Sequence, residues 1–109
     1  MGIRASREEF DAAVRAAVAS IPVGFKRYMD RLTIEVQDRP DRRTLDELGL
    51  DDRRELLGLY VGIPLTEQHV EAPAMHGERV VIYRRNIQRL CNSRKQLVVE
   101  IRRTVLHEV

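Results

Sequence analysis

A chain of 109 residues, 43% hydrophobic and 33% charged, suits one domain that buries about 65% of its extended-chain surface without covalent staples. A net charge of +2 is too balanced to announce a polyanion-binding protein, and the single cysteine, Cys91, excludes an intrachain disulfide and a cysteine-based zinc site. No apolar run approaches the ~20 residues of a membrane span, and the opening MGIRASREEF lacks the apolar segment of a secretory signal, so the expected location is the cytoplasm.

Ser6 and Glu9 form a capping box, in which each side chain satisfies a backbone N–H group at a helix start. The spacing predicts a first helix with Phe10, Val14, Ala17, Val18 and Ile21 on one side and Arg7, Glu8, Asp11 and Arg15 on the other, ended by Pro22 and Gly24. Phe25 to Arg31 is expected to add a short helical turn that carries Phe25, Tyr28 and Met29 into the core. Leu32 to Val36 (LTIEV) alternates apolar and polar residues and reads as a half-buried strand, stopped by Asp38-Arg39-Pro40. Residues 41 to 55 are polar, with a brief helical pattern at Leu45, Leu48 and Leu50.

Leu56 to Ile63 (LLGLYVGI) is a short apolar run containing Gly58 and Gly62, which predicts a strand with close backbone approach. Thr66 to Glu78 reads as a polar loop holding His69, Pro73 and His76, and Arg79 to Arg84 (RVVIYR) is the clearest strand. Asn86 to Asn92 leads into a last helix that opens on the capping pattern Ser93-x-x-Gln96. In that helix Leu97, Val98, Ile101 and Val105 fall within roughly one 80° stripe, and Glu108 lands roughly 20° from Leu97. His107 sits on the flank, on the same side as Thr104. A carboxylate on the inner side of a helix is costly unless a partner compensates it, and a neighbouring imidazole with a metal would do so. The segregated elements predict an α+β domain: a small mixed sheet of about three to four strands, packed with an N-terminal and a C-terminal helix.

Three segments together resemble the small bacterial zincin-like metallopeptidases, a minimal matrix-metalloprotease-like fold. LLGLYVGIPLTE (Leu56–Glu67) matches the family's Gly-Leu-Tyr-x-Gly signature at Gly58, Leu59, Tyr60 and Gly62. ERVVIYRRNIQRLC (Glu78–Cys91) matches its strand ending at Tyr83 and Arg84, and TVLHEV (Thr104–Val109) matches the opening of its H-E-x-x-H helix. The first helix and the LTIEVQDRP strand resemble it more loosely, so the likeness spans nearly the whole chain, read as a single domain over 1–109.

The resemblance implies zinc as cofactor, His107 as a metal ligand and Glu108 as the general base that activates a metal-bound water for attack on a peptide carbonyl. Two histidines at i and i+4, roughly 40° apart around a helix, can share one tetrahedral zinc. The second would fall at position 111, past Val109, and the family's third ligand is likewise not among the 109 residues. The chain is therefore expected to stop inside its metal-binding helix, to bind zinc weakly or not at all and to hydrolyse peptides negligibly. His69 and His76 match no ligand position of the family.

The resemblance also implies that an edge strand beside the metal helix pairs with an extended peptide or protein substrate. The competing reading is a non-catalytic binding or regulatory module that retains the fold. A nucleic-acid role is disfavoured: the pairs Arg42-Arg43, Arg53-Arg54, Arg84-Arg85 and Arg102-Arg103 are interleaved with Asp41, Asp46, Asp51, Asp52 and Glu55, and no aromatic-rich RNA-binding motif accompanies them. Cys91 reads as a small packed residue.

Overall fold

The computed structural model describes residues 2–62 and 78–108, without the side chain of Glu108. Helix α1 (Arg7–Ala19) starts as predicted: the Ser6 hydroxyl accepts from the Glu9 amide at 3.1 Å, and the Glu9 carboxylate accepts from the Ser6 amide at 3.0 Å. Helix α2 (Val23–Met29) follows directly, then strand β1 (Thr33–Gln37) and helix α3 (Arg42–Leu48). The latter is capped by Asp41, whose carboxylate accepts from the Thr44 amide at 2.8 Å, and closes on Gly49 at φ 68°, a left-handed conformation in which a Cβ would be strained. Strands β2 (Gly58–Val61) and β3 (Arg79–Tyr83) complete a three-stranded sheet, and helices α4 (Arg84–Arg89) and α5 (Arg94–Glu108) end the described chain.

The strand order is β1–β3–β2. β1 runs parallel to β3, with Thr33 opposite Arg79 and Gln37 opposite Tyr83; β2 is antiparallel to β3, with Gly58 opposite Ile82 and Val61 opposite Arg79. β3 is paired along both edges, and its apolar residues run without alternation through Val80, Val81, Ile82 and Tyr83, all buried, the pattern of a strand covered on both faces. β1, at an edge, keeps its alternating polar residues and is only half-buried.

The two long helices lie side by side and run the same way. Arg94 at the start of α5 pairs with Glu9 near the start of α1, and the Arg102 guanidinium, midway along α5, donates to the Ser20 hydroxyl at the end of α1, 3.2 Å away. Phe10, Ala13 and Ala17 from α1 meet Leu97, Ile101 and Val105 from α5 over Val80 and Ile82 of the sheet, with Ile87 and Cys91 closing one end. Each of the larger side chains contributes about 1.5–3 kcal/mol by leaving water. The mixed three-stranded sheet with helices on it is the α+β architecture expected.

Two expectations are corrected. Of the three α2 residues expected in the core, only Met29 is buried; Phe25 and Tyr28 are exposed, with Val23 beside them. A seven-residue helix docks along a single line of side chains, and a short aromatic-rich sequence does not reveal which line. At Gly62 the close neighbour is a side chain, not backbone: the Tyr60 hydroxyl stands 2.7 Å from where a Cβ would sit. Residues two apart share one face of a strand, so the ring of Tyr60 folds over the gap that Gly62 leaves. The polar loop with His69 and His76 lies outside the described residues.

Candidate active site

Helix α5 turns its C-terminal half toward the segment that leads into β2. Glu100, Arg103, Thr104 and His107, at successive turns of one helix face, form one wall of a cavity of about 350 Å³; Glu55, Leu56, Leu57 and Gly58 form the other. The sequence pattern placed His107 on the flank with Thr104, and the structure puts both on this cavity. Thr104 is buried, its hydroxyl donating to the Glu100 carbonyl at 2.8 Å; the Glu100 carboxylate accepts from Arg103 at 2.9 Å. His107 is exposed at the mouth, and Glu108 follows it as the last helical residue.

The wall facing α5 is held by a residue that sequence reasoning did not single out. Asn86 is buried, and its side-chain amide donates to the carbonyls of Arg53 and Leu56, at 2.6 and 2.7 Å. One residue on, the Tyr83 amide donates to the Leu57 carbonyl at 3.0 Å. Three backbone carbonyls of an irregular segment are thereby satisfied from β3 and α4, which fixes Leu56–Gly58 against the helix. No signal short of tertiary contact distinguishes Asn86 from a surface polar residue on a short helix.

Tyr60 lies on β2 near Tyr28, and loss of water contact, with the Glu78 carboxylate beside both phenols, pushes the pKa of the two hydroxyls up. They remain neutral donors at ordinary pH. Cys91, fully buried, has its thiol pKa pushed up by burial and then by the Glu100 charge, so it is a packed residue, as expected.

A catalytic zinc takes three protein ligands and keeps one position for water. Among the described residues, no three His, Cys, Asp or Glu side chains gather into such a group. The one imidazole of α5 does not make a zinc site with the carboxylates around it, and the described residues alone do not fit the metal.

An α+β domain with a His-Glu dipeptide in the last described turn of a helix that packs on a strand at the edge of the described sheet narrows the class. A family model described as zincin-like metallopeptidase matches residues 29–109, from the end of α2 onward, and the chain belongs to that family. None of the curated proteins compared with it matches the chain.

Proposed function

We propose that this chain is the scaffold of a zinc-dependent peptide hydrolase, in which His107 is one metal ligand and Glu108 the general base. The observation that supports the reading is the placement of His107 on a cavity whose far wall leads into β2, an edge strand among the described residues. An edge strand offers unpaired backbone N–H and C=O groups that an extended peptide can pair with, and β2 stands next to the helix that carries His107. Of the two edges, β2 is thus the one suited to lay a substrate chain across the His107–Glu108 end of α5. Leu56 and Leu57, half-buried on the cavity wall, would receive an apolar side chain of that peptide.

The 109-residue polypeptide has one imidazole in α5, so its own zinc affinity is expected to be weak and its peptide hydrolysis negligible. Zinc titration followed by NMR checks this: excess zinc should perturb the His107 ring and its neighbours in the last turn of α5, and His107→Ala should abolish the effect. Zinc held stoichiometrically with an affinity tighter than the order of 1 μM, or perturbation unchanged in His107→Ala, would contradict it. Peptide bound along β2 with equal affinity with and without zinc, and never cleaved by a chain extended through the second motif histidine, would favour the non-catalytic module.

A further inference from the structure

A second cavity shares no lining residue with the one beside His107. It has a volume of about 580 Å³ and lies where the N-terminal segment Gly2–Ser6 crosses α4. Five arginines line it: Arg4 from that segment, Arg39 from the turn after β1, and Arg84, Arg85 and Arg89 from α4. β1 and β3 are adjacent and parallel, so Arg39 and the Arg84-Arg85 pair emerge from the same, carboxyl-terminal edge of the sheet.

The cleft is built on a fixed frame. The Ile3 amide donates to the carbonyls of Cys91 and Gln88, at 2.7 and 3.2 Å, and Gly2 packs so closely on Gln88 and Arg89 that a Cβ there would collide with their backbone. Arg84, only 14% exposed, donates to Asp38 and to the Ala5 carbonyl, each at 3.0 Å, and to the buried Gln88 at 3.3 Å. It ties the N-terminal segment, the end of β1 and α4 into one wall. The other four arginines are exposed.

Their clustering sets them apart, since Arg15, Arg27, Arg31, Arg53 and Arg102 also make no ion pair among the described residues but lie outside this cleft. Elsewhere Arg7, Arg42, Arg43, Arg54, Arg79, Arg94 and Arg103 each lie within ion-pair distance of a carboxylate. In the cleft only Arg84 has such a partner among the described residues; Arg4, Arg39, Arg85 and Arg89 do not. Asp38 lies near Arg85 but is already bonded to Arg84, and Asp52 feels Arg89 but is bonded to Arg54. Four exposed arginines from three segments therefore line one concavity, none of them in an ion pair among the described residues.

We propose that this cleft binds a small phosphate-bearing polyanion, of the size and charge of a di- or triphosphate group. Guanidinium forks match phosphate oxygens two at a time, and an anion that compensates four of them must carry several charges, as a phosphate chain does and a lone carboxylate does not. The volume lies within the roughly 300–1,000 Å³ range of small-molecule sites.

Calorimetric titration of the 109-residue protein with sodium tripolyphosphate at physiological ionic strength should show one saturable site and a raised melting temperature. Arg85→Gln with Arg89→Gln removes two exposed groups that make no ion pair, and binding should weaken about a hundredfold, roughly tenfold for each lost charge-assisted pair. Arg15→Gln with Arg27→Gln removes the same charge elsewhere and should leave binding within about twofold. Equal weakening by both pairs, or tripolyphosphate acting no better than sulfate at matched ionic strength, would overturn the proposal. Amide shifts in the unaltered protein confined to residues 2–6, 39 and 84–89 support it without any variant; shifts centred elsewhere overturn it. ATP binding as well as tripolyphosphate assigns the site to the phosphate chain alone, and tighter ATP binding assigns it to a nucleotide. A DNA duplex that binds more tightly than either, with the four arginines contributing no more than other surface arginines, would make this a nucleic-acid surface and overturn the small-anion site.

Discussion

Asn86 holds the wall of the cavity beside His107 through two side-chain hydrogen bonds to otherwise irregular backbone. Asn86→Ala leaves the Arg53 and Leu56 carbonyls short of a partner in a part-buried place, which costs about 1–3 kcal/mol. Urea unfolding should show that loss as a lower midpoint with an unchanged slope, and amide exchange should quicken over residues 53–58. An unchanged midpoint would mean that the segment is held some other way. Asp38 makes a different kind of contribution. The hydrogen bond from Arg84 holds its carboxyl below the usual carboxylate range; burial opposes this, and the charges of Arg84, Arg85 and Arg7 add to it. A folded-state pKa lower than the unfolded one adds stability that is present above the unfolded value and lost as pH falls through the folded one. Asp38 is half exposed and solvent screens the pair, so the effect is modest. Asp38→Asn should therefore lower stability at neutral pH and flatten its fall in acid; parallel stability–pH curves for the two proteins would contradict this.

Helix α5 shows how far periodicity reaches and where it stops. The apolar stripe read along the helix is buried at Leu97, Ile101 and Val105, but Val98 is only half-buried and Thr104 is buried in its place. Spacing finds a face; the angle at which α1 and the sheet meet it sets which flank is covered. The start behaves similarly. The Ser93 hydroxyl accepts from the Gln96 amide at 3.2 Å as the capping pattern implies, yet the Gln96 side chain accepts from the Asn92 amide at 2.7 Å and not from Ser93. Ile101 stands where α1, α5 and the sheet converge, fully buried, so Ile101→Ala should cost about 2–5 kcal/mol, measured by chemical denaturation. A loss below about 1 kcal/mol would show that the helix pair closes over the space. The short helix α2 was legible as a helix but not in its orientation, since Phe25 and Tyr28 face outward and Met29 alone is anchored.

Across the molecule, three strands that lie far apart in the chain meet in one sheet, and two terminal helices run in the same direction over it. The starts of α1 and α5, the approximate places of the strands and the membership in a peptidase family were legible from residues alone; the start of α4 at Arg84 was not, because that residue continues the RVVIYR strand pattern. Capping boxes, period-2 alternation and short motifs are local, and each is written in fewer than about fifteen consecutive positions. His107 and Glu108 could be named for the same reason, as the opening of a helix motif. What faces His107 could not: the cavity wall at Leu56–Gly58, its anchor Asn86, and the choice of β2 over β1 as the edge beside α5 all depend on strand order. The arginine pairs show the same division. Along the chain Arg42-Arg43 and Arg53-Arg54 are balanced by nearby acids, whereas residues 79–99 hold six basic residues and no acid, an excess that the net charge of +2 hides. Only the parallel pairing of β1 with β3, and the N-terminal segment laid on α4, bring Arg4 and Arg39 to one cleft with Arg85 and Arg89. Charge acts through distance in space, and the tertiary fold decided that distance.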